Sequence, residues 1–327
     1  MLQRKLTDIE GIKVGHEQDY NGATGSTVIL CEEGAVAGVD VEGGSPGTRE
    51  TALLSPVNRV DKAHGILLSG GSAFGLDAAA GIMEYLEDHN SGFDVGVTKV
   101  PIVPGAILFD LGLGDYKARP DKKMGLQACK NAAEDYCKEG TIGAGTGATV
   151  GKVLGMERAM KGGLGTYCIQ VGELMVGAMV AVNCFGDVIN PQTGEIIAGA
   201  FTKDGHFVNT EEFMIKEFEN QQIKNQENTT IGVVVSNAKF NKAEANKLAS
   251  MAHDGFARTM RPSHTMVDGD TIFALATGEV ECDLDLVGLL AANVMGEAVV
   301  RAIKKATSLH GVTSYSDLSR NSYNRCW

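Results

Sequence analysis

Asn228-Thr229-Thr230 marks the sharpest change of character in the 327-residue sequence. The polar, charged stretch 202–228 ends in KEFENQQIKNQEN and gives way at Thr229 to TTIGVVV (229–235), a β-branched run of the buried kind. The stretch before it is a poor core former and reads as solvated. If the chain is cut between Asn228 and Thr229, Thr229 becomes an N-terminus at the head of a rigid strand. Its hydroxyl is then a nucleophile and its own α-amine the base. A free amine with a pKa of about 7.7–8.0 suits proton transfer near neutrality. The plainer reading is a strand start, and composition leaves both open.

Asp268-Gly269-Asp270 stands immediately before another buried strand, TIFALAT (271–277). Two carboxylates at i, i+2 of extended backbone share a face, where they can hold a cation or an ammonium group, or raise each other's pKa. Taken alone the triplet also reads as a turn. Lys152 ends the glycine-rich segment GTIGAGTGATVGK (140–152) and by local sequence reads as a surface lysine. Within that segment GAGTGA (143–148) fits a dinucleotide fingerprint in letters only. The residues before it look helical, and no clean acidic partner follows about 20 residues on. Thr146 and Val153 break a phosphate-loop pattern. Ser72, in GGSAFG, lacks the G-x-S-x-G spacing of a nucleophile elbow. The seven histidines show no H-x-x-x-H or H-E-x-x-H, so no metal site or cofactor is expected.

These residues need elements to position them. Residues 26–31 and 35–40 read as two strands about a Glu33-Gly34 turn, and GILLS (65–69) as a third, followed by a helix over 73–87. An exposed amphipathic helix spans 121–138. A hairpin joins 165–171 to 174–182. Asn241 and Glu244 have capping-box spacing for a helix to about 260, and 284–305 is apolar on nearly every side, hence a buried helix. Hairpin neighbours without a regular βαβ repeat favour layered α+β. Twenty-nine basic against 41 acidic residues give a net charge of −12, which disfavours nucleic acid as a partner. The apolar run Leu286 to Val294 falls short of the roughly 20 residues of a membrane span, and the N-terminus has no apolar leader. Seven scattered cysteines without C-x-x-C suggest reduced thiols and a cytoplasmic location.

The chain resembles the P1 (DmpA-type) peptidase family, which includes aminopeptidases, β-peptidyl aminopeptidases and nylon-oligomer endohydrolases. The likeness rests on TDIEGIKVGH (7–16), GATGSTVIL (22–30), LLSGGSAFGLDAAAG (67–81), GAGTGATVGK (143–152), VNCFGD (182–187), NTTIGVVVSNA (228–238) and RPSHTMVDGDTIFALAT (261–277), in the family's order. It implies a four-layer αββα sandwich similar to N-terminal-nucleophile hydrolases. A single domain over 1–327 is expected, cut by itself between Asn228 and Thr229 into 1–228 and 229–327. It also implies a tetramer or larger assembly.

By the same resemblance Thr229 is the nucleophile and Asn183 the oxyanion-stabilising amide. Lys152 assists, and Asp268 and Asp270 orient the Thr229 ammonium or a substrate amine. Gly71, Ser72 and Phe74 border the substrate, and Phe74 stands at the family position of a tyrosine near the substrate, without its hydroxyl. The glycines of 70–75 and 143–151 are expected around the nucleophile. Thr229 with two aspartates is closer to the nylon-hydrolase branch than to the β-peptidyl branch, which generally uses Ser with Ser-Gly-Glu. The implied substrate is a short peptide or amino-acid-oligomer amide. Two other functions remain open: an acyltransferase of the ornithine acetyltransferase type, and a catalytically silent assembly protein.

Overall fold

The computed structural model describes residues 1–133, 137–218 and 228–318. Strands β1 (Lys13–Asp19), β2 (Thr24–Val41) and β3 (Lys62–Ser69) lead to helices α1 (Ala78–Asp88) and α2 (Lys122–Lys130). The hairpin β4 (Gly163–Val171) and β5 (Leu174–Val182) follows. Then come β6 (Ile231–Ala238), α3 (Lys242–Thr259), β7 (Thr271–Val280) and α4 (Leu284–Lys305). Among the described residues these strands build a ten-stranded sheet ordered Leu2–Arg4, β4, β5, β6, β7, β2, β3, Gly105–Ile107, Thr48–Arg49, with β1 added on β2. β6 and β7 pair in parallel across α3, whereas β4/β5, β5/β6 and β7/β2 are antiparallel.

The central strands are apolar on both faces because each face has its own core. Val234, Ile272, Ala274 and Ala276 pack with α3 and α4. Their neighbours Ile231, Val233, Val235, Phe273 and Leu275 face Ile29, Ile66 and Leu68 of β2 and β3. The outward side of that second layer, Val28, Leu30 and Leu67, packs on Ala78, Ala79 and Ile82 of α1 and Ala128 of α2. The order is thus helices, sheet, sheet, helices: an α+β sandwich of the expected αββα kind. Side chains alternating at period two explain why the buried strands read as unbroken apolar runs.

The two strands expected at 26–31 and 35–40 are one strand. Gly34 is left-handed (φ +76°), and the β2–β3 register shifts between Leu30 and Ala35, so the residues read as a turn make a bulge. The N-terminal half of β2 pairs with β1, and its C-terminal half with β7. β2 therefore belongs to both β layers. The helix expected from residue 73 begins as a 3-10 segment, Ser72–Asp77, before α1. The one expected over 121–138 ends at Lys130, and residues 134–136 lie outside the described residues. Within the polar stretch 202–228, Thr210–Lys216 is a short helix; residues 219–227 lie outside the described residues, as does the polar tail from 319. The capping box of α3 forms in full.

α4 has a window of mean hydropathy 1.6, long and apolar enough to cross a membrane, which the run 286–294 alone did not suggest. Of that window 72% is buried inside the fold, as befits a core helix. The six cysteines among the described residues are free thiols, and Cys326 lies outside them.

Candidate active site

Thr229 and Thr230 sit at the entrance of β6, fully enclosed. The Thr229 hydroxyl accepts the Gly269 backbone N–H at 3.0 Å, and its own N–H donates to the Asn183 carbonyl at 3.1 Å. The approach to Gly269 is so close that a Cβ there would lie 2.7 Å from Thr229 Oγ1 and 2.5 Å from the Ser45 carbonyl. Only glycine fits between Asp268 and Asp270 for that reason. β6 and β7 run in parallel, with Ile231 opposite Thr271. This register carries Asp268-Gly269-Asp270, just before β7, alongside Thr229.

The two aspartates are buried, so the turn reading gives way to a structural pair. Asp270 Oδ1 accepts Thr230 N–H at 2.8 Å, and Oδ2 accepts His264 N–H at 3.0 Å and faces His264 Nδ1 at 2.9 Å. Asp268 Oδ1 accepts Phe185 N–H at 3.2 Å, and Oδ2 receives the Thr265 hydroxyl. Burial, then the charge of Asp270, push the Asp268 carboxyl up to about 6, against the hydrogen bonds and the Lys152 charge.

Asn183, just past β5, is gripped at one end. Its Oδ1 accepts Lys152 Nζ at 2.9 Å and Thr149 N–H at 2.9 Å, while Nδ2 donates to the Phe109 carbonyl at 3.0 Å. Two donors on the same oxygen fix the amide's orientation, with Nδ2 as the donating end. Lys152 is 1% exposed, contrary to the surface reading. Its context is a loop folded back on β5: Lys152 N–H donates to Phe185 O. Burial pushes its ammonium down to about 8, against the opposing charges of Asp268 and Asp110.

Gly71, Ser72 and Phe74 connect to this cluster at one remove. Gly71 N–H donates to Asp110 Oδ1 at 2.7 Å and Ser72 N–H to the Leu108 carbonyl at 3.0 Å, flanking the Phe109 carbonyl that receives Asn183. Phe74 is half exposed, with the Arg119 guanidinium 3.6 Å from its ring centre. The glycine-rich segments wrap mainly a second buried polar group. Lys161 Nζ donates to the carbonyls of Gly145, Ala148 and Gly162 at 2.7–3.0 Å, and a Cβ at Gly70 would strike Asp110 Oδ2. The glycine that touches Thr229 is Gly269. Sequence reasoning passed over Asp110, Lys161, Thr149 and His264. A polar residue between apolar neighbours signals such burial only weakly.

A solved L-aminopeptidase D-Ala-esterase/amidase from Ochrobactrum anthropi, described as a variant of the Ntn hydrolase fold, superposes with a TM-score of 0.72 at 18% identity, covering 98% of this chain and 94% of its own. The fold is therefore that variant. An uncharacterized aminopeptidase of Mycobacterium leprae is 38% identical over 95% of this chain and 92% of its own length. A 6-aminohexanoate-oligomer endohydrolase of Kocuria sp. is 30% identical, over 91% and 85% respectively. The profile of peptidase family S58 matches residues 4–316, and the chain belongs to that family. It is a hydrolase of peptide or amide C–N bonds, as the motif resemblance implied.

Proposed function

We propose that the chain is a self-processing amide hydrolase whose nucleophile is Thr229. The observation that carries this reading is the enclosed Thr229 hydroxyl held by Gly269 N–H at 3.0 Å beside the clamped Asn183 amide. In processing, Thr229 Oγ1 bonds to the Asn228 carbonyl carbon, the C–N bond to Thr229 breaks, and the nitrogen takes up a proton. Water then hydrolyses the ester, leaving an Asn228 carboxylate and a free Thr229 amine. A substrate amide repeats the chemistry: the amine accepts the hydroxyl proton, an acyl-Thr forms, and water releases the acid. Gly269 N–H stabilises negative charge on Oγ1, and Asn183 Nδ2 is the donor for the oxyanion. Fragments 1–228 and 229–327 stay in one sandwich, because β6 and β7 lie between β5 and β2.

The substrate class is a short peptide or amino-acid-oligomer amide with an amine near the scissile bond. The buried carboxylates Asp268 and Asp270 favour such an amine, and the two relatives' names, aminopeptidase and 6-aminohexanoate-oligomer endohydrolase, fit it. Intact-mass measurement tests the reading. Wild type is expected as two fragments divided after Asn228, and Thr229→Ala as one inactive chain. A fully active protein that remains one chain overturns it.

A further inference from the structure

His264 has no part in the chemistry above, yet it is tied into it. Its backbone N–H and its ring Nδ1 both meet Asp270 Oδ2, at 3.0 and 2.9 Å. The other oxygen of the same carboxylate holds Thr230 N–H at 2.8 Å, one peptide unit from the Thr229 nitrogen. The backbone at His264 is left-handed (φ +57°), an uncommon conformation for a residue of this size. It lets one residue present both donors to one oxygen. The ring is partly solvent-accessible, with a side-chain exposure of 22% against 1% for Asp270. His264 thus links the buried carboxylate to the outside.

We infer that His264 is a positioning residue for the nucleophile, acting through Asp270: it fixes the carboxylate so that Oδ1 holds the Thr229-Thr230 backbone, and its positive charge offsets the acidic pair beside the Thr229 amine. This rests on the reading of Thr229 as an N-terminal nucleophile. Two carboxylates next to an α-amine stabilise its ammonium form, which cannot act as a base. A cation on the far side of Asp270 lowers that stabilisation. The charged groups facing His264 are Asp270, Asp268 and Glu42, while the His253 ring packs edge-on at 4.9 Å. Burial opposes the imidazolium, but the Asp270 hydrogen bond and the three carboxylates outweigh it and raise the histidine's pKa. His253 goes the other way: burial dominates and lowers it, so of the two rings His264 is the one whose charged form the site favours.

The test is the pKa of the Thr229 amine in the processed protein. It is read from the pH dependence of its acetylation by trace acetic anhydride, followed by mass on the N-terminal peptide of fragment 229–327. His264→Asn keeps a residue that tolerates the left-handed backbone. The amine pKa is expected to rise by about half a unit to one unit in this variant, and the acid limb of any turnover profile to move with it. An unchanged amine pKa overturns the inference. Should the variant fail to fold, NMR titration of the His264 ring in wild type decides instead. Coupling through Asp270 requires a second inflection at the amine's pKa, and a single inflection overturns it. Thr229→Ala separates the two claims. If it still yields fragment 229–327, the nucleophile reading fails. If it stays intact while His264→Asn leaves the amine unmoved, only the role of His264 fails.

Discussion

Lys152 Nζ donates to Asn183 at both the side-chain oxygen, 2.9 Å away, and the backbone carbonyl, 3.2 Å away. The buried cation therefore acts on the asparagine, and that same Asn183 carbonyl accepts Thr229 N–H. One ammonium thus meets both the Asn183 amide, whose orientation it shares with Thr149 N–H, and the carbonyl that seats the Thr229 backbone.

This geometry gives a pH dependence. Lys152 loses its proton at about 8, and with it a donor to Asn183. Processing and turnover should fall as pH rises through that value. Lys152→Arg keeps its charge to far higher pH and should lose the alkaline limb even if it is slower at neutrality. Lys152→Met should slow both reactions by about 10-fold or more, since Asn183 loses one of the two donors on Oδ1 and the cation beside it. Rate profiles of the three proteins check this; an alkaline limb that survives in Lys152→Arg removes Lys152 as its source.

Gly269→Ala is the most local perturbation of the proposed nucleophile, Thr229. The added methyl would lie 2.7 Å from Thr229 Oγ1 and 2.5 Å from the Ser45 carbonyl. Both are too close, and neither belongs to a flexible chain end. The expected outcome is an unprocessed chain, with a loss of about 1–3 kcal/mol in stability, read by intact mass and urea unfolding. Normal processing would mean that Gly269 N–H does not set the hydroxyl.

Much of this fold was legible because local signals agree with the global structure. The capping box at Asn241 and the all-round apolar pattern of 284–305 located α3 and α4. β2 was misread because a left-handed glycine inside one long strand looks like the turn between two. The clustering of Thr229, Asn183 and the aspartates was legible through motif likeness. The burial of Lys152 was not, since its partners lie 31 residues away. Lys161 and Asp110 were missed for the same reason. Their partners, the Gly71 N–H and Thr24 hydroxyl for Asp110 and the carbonyls of Gly145 and Ala148 for Lys161, lie in other segments, which no spacing rule connects.

Asp110 contributes to the pH dependence of stability on the acid side. It is fully buried, and desolvation raises its carboxyl to about 6, against hydrogen bonds from Gly71 N–H and the Thr24 hydroxyl and the charge of Lys161. Its folded-state pKa lies above the unfolded value, so the folded form binds more protons between about pH 4 and 6. The contribution is present below the unfolded pKa and is lost as pH rises through 6. Asp110→Asn should flatten this part of the stability curve, measured as urea midpoints across the window. A slope unchanged in the variant would assign it to Asp187 or Asp268, which are raised to the same range.

The two aspartates should answer differently to the same conservative change. Asp268 receives one backbone N–H, from Phe185, and one hydroxyl, from Thr265. An asparagine there can keep its oxygen on Phe185 and donate to Thr265, because a hydroxyl can reverse its role. It also removes a charge that Asp270 opposes. Asp270 receives backbone N–H groups on both oxygens, from Thr230 and His264, and neither can become an acceptor. An amide NH2 must then face one of them. Asp268→Asn should leave stability near wild type, whereas Asp270→Asn should lose about 1–3 kcal/mol for the buried donor left unsatisfied. Both are compared by urea unfolding at a pH where both native carboxylates are ionised. Equal midpoints would mean that the carboxylate contacts of Asp270 do not hold the Thr229-Thr230 backbone in place.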